Sequence, residues 1–232
     1  MYNFYLKTNQ KANRHRSGKH IFATLIKPLR TNGNRKPYNL RAFVTMLNKD
    51  QLLQQINATM GKTKVLELTA ILQHKNFKLR DLIELTFYDN KKIAFRAAWL
   101  LENLFLQRPD AYLSDLEYLV NCFPYINHGS CKRHYAKIAM HITAPQASPR
   151  IKQALFEIDM EPVINQCFDW VIDPKVLVAV KAFATEALFN LRHRYPWIAE
   201  ELSAQLEYLM RDGSPAIQSK GEKLLAYLHP LA

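Results

Sequence analysis

His128, Cys131, His134 and His141 crowd into one short stretch, and these are the side chain types that hold transition metals. If the stretch is helical, Cys131 and His134 stand three apart and are neighbours on a face. No acidic residue accompanies them there and no second cysteine is paired at a metal-type spacing, so surface and capping roles are expected and no metal is assigned. Gly61-Lys62-Thr63 has the ending of a phosphate-binding loop, but Ile56 stands where the first glycine is required and no buried strand precedes it. No Gly-x-Ser-x-Gly elbow occurs, and no nucleophile, base and orienting group can be assembled. The sequence therefore supplies no catalytic set, and no cofactor is expected.

What remains are charged and aromatic residues on helices. In the segment 91 to 106, Ile93, Ala94, Ala97, Ala98, Leu101, Leu104 and Phe105 share one arc at about 100° per residue. Trp99 points away from that arc, with Arg96 and Asn103 on one side and Glu102 on the other, the composition of a binding hot spot. Packing of Trp99 against the next repeat is the competing expectation, and Phe95 and Leu106 favour it. Trp170 carries the same two readings. Lys181 interrupts VLVAVKAFA and lines up with Thr185 and Arg192, so a solvated stripe is expected; a buried lysine paired with Glu102 or Glu186 is the alternative. Arg96, Trp99, Glu102, Lys181, Glu186 and Arg192 are thus the candidate partner-binding residues.

These residues need helices to position them. Periodicity predicts helices near 49 to 59, 63 to 73, 77 to 87, 91 to 106, 110 to 121, 129 to 142, 149 to 157, 161 to 171, 174 to 194, 197 to 211 and 215 to 228, with no strand. Asp173 is expected to cap the longest of them, with Pro174 in its first turn. Its core arc is Val176, Leu177, Val180, Phe183, Ala184, Ala187, Leu188 and Leu191, and a second strip of Val178, Ala182 and Phe189 calls for neighbours on both sides. FRAAWLLENLFLQRPDAYLSDLEYLV, from residue 95, and FATEALFNLRHRYPWIAEELSAQLEYLM, from residue 183, share a helix, a proline break and a second helix. Helix pairs recurring at roughly 40 residues predict an all-α solenoid of the HEAT or armadillo kind with about ten or eleven helices, each pair stable only when stacked.

The strings FRAAWLLENL, FDWVIDPKVLVAVKAFATEALFNL and GSPAIQSKGEKLL resemble a family of small bacterial HEAT-like proteins common in the Bacteroidota, over about residues 47 to 230. The resemblance implies a HEAT-like solenoid and no particular activity. Some members bear the name adenylosuccinate lyase, but the catalytic loop of those lyases has no counterpart here.

The net charge of +12 suggests nucleic acid until it is mapped along the chain. Residues 1 to 45 hold ten Lys or Arg and no Asp or Glu, leaving 22 basic and 20 acidic residues, a net +2, for residues 46 to 232. The first 45 residues also lack a periodic pattern, which predicts a disordered basic arm. The arm has three readings: a contact for nucleic acid, an acid-poor targeting peptide, or sequence upstream of a true start at Met46. Composition favours the last. Cys122, Cys131 and Cys167 are odd in number, and no run of about 18 apolar residues exists, so a reduced, cytoplasmic, non-membrane protein is expected. The function these features point to is a non-catalytic scaffold binding a protein or peptide on its concave face. Its rival is a nucleic-acid-binding protein, in one form a HEAT-like DNA alkylation repair glycosylase.

Overall fold

The computed structural model describes residues 47–58, 61–74 and 77–228; the basic arm lies outside them. They form α1 (Lys49–Ala58), α2 (Gly61–His74), α3 (Leu79–Leu85), α4 (Lys91–Gln107), α5 (Leu116–Asn121), α6 (Gly129–Thr143), α7 (Pro149–Glu157), α8 (Glu161–Ile172), α9 (Val178–Leu191), α10 (Trp197–Arg211) and α11 (Pro215–Leu228). Among the described residues there is no strand, only an isolated bridge between Leu47 and Phe77.

The helices stack in two rows. One row runs α2, α4, α6, α9, α11, each packed on the next, and the other runs α3, α5, α8, α10. From α3 on, leaving out α7, chain order alternates between rows: α3 and α4, α8 and α9, and α10 and α11 pack as pairs, and α5 joins α6 through Phe123, whose ring meets Tyr135. The core lies between the rows. Ala94, Ala97, Ala98, Leu101 and Leu104 of α4, Tyr135, Ile138 and Ile142 of α6, and Val180, Ala184, Ala187 and Leu188 of α9 are all buried in it. Alanine is placed where helices approach closely, and larger residues fill the gaps between layers.

Local signals explain most of the ends. Asn90 caps α4 by accepting from the Lys92 amide at 3.0 Å. Ser148 caps α7 by accepting from the Ile151 amide, with Pro149 at the first helical position. Gly221 lets α11 close on α10, since a Cβ there would meet Met210 Sδ at 2.2 Å.

Two elements differ from expectation. After Pro109 the chain forms a 3-10 segment, Pro109–Asp115, before the short α5, because Tyr112 leaves the helical region (φ −122°, ψ 22°). Asp173 does not cap α9; it ends α8 in an extended conformation, and its carboxylate accepts from the Lys175 amide at 2.8 Å. The residue before a proline avoids the helical region, and an Asp side chain can hold a turn instead. Helix α9 therefore starts at Val178, and Leu177, expected in the core arc, is 66% exposed.

Candidate functional site

The first turns of α4 and α6 lie at one edge of the long row. His128, which precedes α6, donates from Nε2 to the Tyr88 carbonyl just before α4, at 3.2 Å. One turn further in, Phe95 and Trp99 of α4 meet His134 of α6, with ring centroids 5.3 and 6.5 Å away respectively and Phe95 to Trp99 at 5.7 Å. Phe95 and Trp99 are half-buried, so one side of each packs on the core and the other reaches the surface. Trp99 thus packs on the next repeat and also reaches the surface.

Behind the aromatic group sits a carboxylate. Glu102 is only 8% exposed; its Oε2 accepts from His134 Nδ1 at 2.5 Å and its Oε1 from Lys137 Nζ at 2.6 Å. Burial pushes its pKa up, but the hydrogen bonds from His134 and Lys137 together outweigh that and hold it below the usual glutamate value. The group is a clamp between α4 and α6. Each oxygen has one partner on α6, so the carboxylate ties the two helices together. His134, expected in a surface or capping role, is instead a buried partner of a carboxylate 32 residues away.

The other candidate residues separate. Arg96 donates to the Asn57 and Ile56 carbonyls at 2.8 and 3.4 Å and so fastens the C-terminal end of α1 to α4. Glu186 pairs with Lys220 of α11 at 2.5 Å. Arg192 lies over the Phe189 ring at 3.6 Å and donates to its own helix at the Phe189 carbonyl. Lys181 corrects the expectation of a solvated stripe. It is 7% exposed, and its Nζ donates to the Val171 carbonyl at 2.7 Å, neutralising an end group of α8 where the helix dipole is negative. Neither Glu102 nor Glu186 pairs with it, because it points towards α8 while those carboxylates bond elsewhere. Its stem lines a narrow apolar crevice with Val178, Leu206, Leu209 and Ile217, and burial lowers its pKa. Glu102 likewise corrects the expectation of an outward flank to Trp99.

Trp170 is 1% exposed and packs against Phe123. With the Gln166 amide oxygen turned towards it, Trp170 Nε1 donates to that oxygen at 3.1 Å, so it is a satisfied core residue. Cys131 donates weakly to the Thr86 carbonyl at 3.8 Å, and Tyr135 OH bonds Thr86 Oγ1 at 2.7 Å. All three cysteines are buried free thiols, and burial pushes Cys131 up to about 11. Three of the four candidate ligands around α6, His128, Cys131 and His134, thus turn to separate partners, and among the described residues no group of His, Cys, Asp or Glu is arranged to hold a metal ion.

Two stacked rows of antiparallel helix pairs with a continuous core define an α-solenoid. The chain belongs to the HEAT repeat domain family, whose model matches residues 50–228. No curated protein and no solved structure gives a significant match. Among the described residues, no helix is long and apolar enough to cross a membrane.

Proposed function

We propose that the chain is a non-catalytic HEAT-like scaffold that holds a protein or peptide partner on the exposed face of the row α4, α6, α9. The observation that carries this reading is Trp99: it is fixed on one side by Phe95 and His134, over a buried carboxylate, and is open on the other. A large, rigid aromatic that loses little freedom on contact is the residue type that anchors interfaces. Arg96, held in place by the α1 carbonyls, stands beside it, while Glu186 and Arg192 extend the face along α9. Glu102 supports the face from inside, and Lys181 fixes α8 to α9 behind it. Three buried free thiols fit a reducing, cytoplasmic compartment.

Nucleic acid is the second reading, and the basic residues of α4 and α6 are what favour it. It separates from the first by binding of labelled single- and double-stranded DNA to the full chain at physiological salt, with and without Lys132→Glu and Arg133→Glu together. The scaffold reading expects any DNA binding to be the same in both proteins, since it would come from charge elsewhere in the chain. A loss of tenfold or more in the double variant would move the nucleic-acid reading ahead.

A further inference from the structure

The positive charge of the folded unit is concentrated on one pair of helices. α4 and α6 carry Lys91, Lys92, Arg96, Lys132, Arg133 and Lys137 against Glu102 alone, a net +5. The rest of residues 46 to 232 holds sixteen basic and nineteen acidic residues, a net −3. Neither helix has an acidic residue in its first turn. Cations therefore stand where the helix dipole is already positive, an arrangement that stability alone disfavours. The two first turns share an edge, as the contact from His128 to Tyr88 shows. Arg96 and Lys137 are engaged within the fold, whereas the side chains of Lys91, Lys92, Lys132 and Arg133 have no hydrogen-bond or ion-pair partner among the described residues. Phe95 and Trp99 lie on the same helix, one to two turns in.

We infer that this edge is a docking site for an acidic peptide segment of a partner protein, its carboxylates on Lys132, Arg133 and the Lys91–Lys92 pair and an apolar side chain on Phe95 and Trp99. The inference rests on the scaffold reading and names the partner's chemistry. Charge complementarity selects an acidic occupant. The extent of the patch selects a peptide over nucleic acid. It spans two neighbouring helices, whose axes lie about 8–10 Å apart, and the row continues into α9, whose one basic residue, Lys181, is buried on the Val171 carbonyl. A strand of nucleic acid needs cations along a continuous track of several nucleotides.

The test is selection of a random twelve-residue peptide library on the immobilised full chain, repeated on folded Lys132→Glu/Arg133→Glu and Trp99→Ala variants, with affinities of selected peptides measured at two salt concentrations. Peptides enriched in Asp and Glu beside an aromatic or aliphatic residue are expected, binding at least tenfold more weakly to the charge-reversed variant and more weakly at high salt. Selected peptides without acidic bias that still lose binding in Trp99→Ala would overturn the inference and leave the scaffold reading standing. Failure to select any peptide that depends on these residues would overturn both.

Discussion

Ala184→Asp is expected to abolish the cooperative unfolding transition of the C-terminal half of the solenoid. Ala184 is fully buried on α9, and α9 packs on α6, α8, α10 and α11 at once. A charge placed there has no water, and the nearest buried cation along the helix, Lys181, is already committed to the Val171 carbonyl. An uncompensated buried charge costs more than about 4 kcal/mol, a large part of the 5–15 kcal/mol that holds a domain folded. Stacked repeats share their cores, so the loss spreads to the helices on either side. Ala179→Asp, exposed in the first turn of the same helix, provides the control. It should change stability by less than about 0.5 kcal/mol, since an acid there suits the dipole. Thermal melts followed by circular dichroism read both, and a parent-like melt for Ala184→Asp would mean that α9 turns another face to the core.

Glu102→Gln should destabilise the protein by about 3 kcal/mol at neutral pH, because it removes the acceptor shared by His134 and Lys137 and turns amide hydrogens towards one of them. The pH dependence follows from the depressed carboxyl. A group whose folded pKa lies below its unfolded value contributes stability that is complete above the ordinary value of 4.5 and is lost as pH falls through the lower folded value. The difference between parent and variant should be full at pH 7 and should shrink below pH 4.5. Denaturant titrations at several pH values measure it, and a difference that persists unchanged at pH 3 would exclude the ionised carboxylate as its source. Lys181→Met, the contrasting change at a buried charge without a carboxylate hydrogen-bond partner, should cost less, about 1 kcal/mol, because the apolar crevice takes the methionine stem while the Val171 carbonyl loses its donor.

The contrast between these two buried charges shows what was legible in the sequence. The helices were, because a period of 3.6 in apolar residues reflects which face meets a core, and the boundaries at Asn90, Ser148 and Pro215 follow from local chemistry. The α9 start was misplaced because Asp173 has two local uses, cap and turn, and the pre-proline restriction chose the turn. The core arc of α9 was found, but Leu177 fell out of it with the displaced start. Glu102 and His134 were each visible, one as a flank of Trp99 and one as a possible metal ligand. Their pairing was not, because it joins helices 32 residues apart, and no spacing rule within one helix reaches across a repeat. Lys181 was misread for a related reason: a carbonyl at the end of α8 has no side chain to betray it as a partner.

The internal resemblance between α4 and α9 has a further use. With Asn103-Leu104 set on Asn190-Leu191, Ala97 falls on Ala184, and both are fully buried, so the repeat keeps its core. On the other side the copies diverge: α4 has Trp99 at the surface over the buried Glu102, whereas α9 has Glu186 and Phe189, which turn to Lys220 and Tyr227 of α11. The inner arc is set by stacking, and the other side follows what each helix meets there.

Site-specific photocrosslinking in the native host tests the central claim most directly. A benzoylphenylalanine would replace Arg133 on α6 or Ala179 on α9, both on exposed positions of the long row, or Tyr208 on α10, exposed on the other row. Protease-sensitive adducts from Arg133 and Ala179, with none from Tyr208, are the predicted result. Nuclease-sensitive adducts at Arg133, or protein adducts confined to Tyr208, would contradict a protein-binding face on α4, α6 and α9.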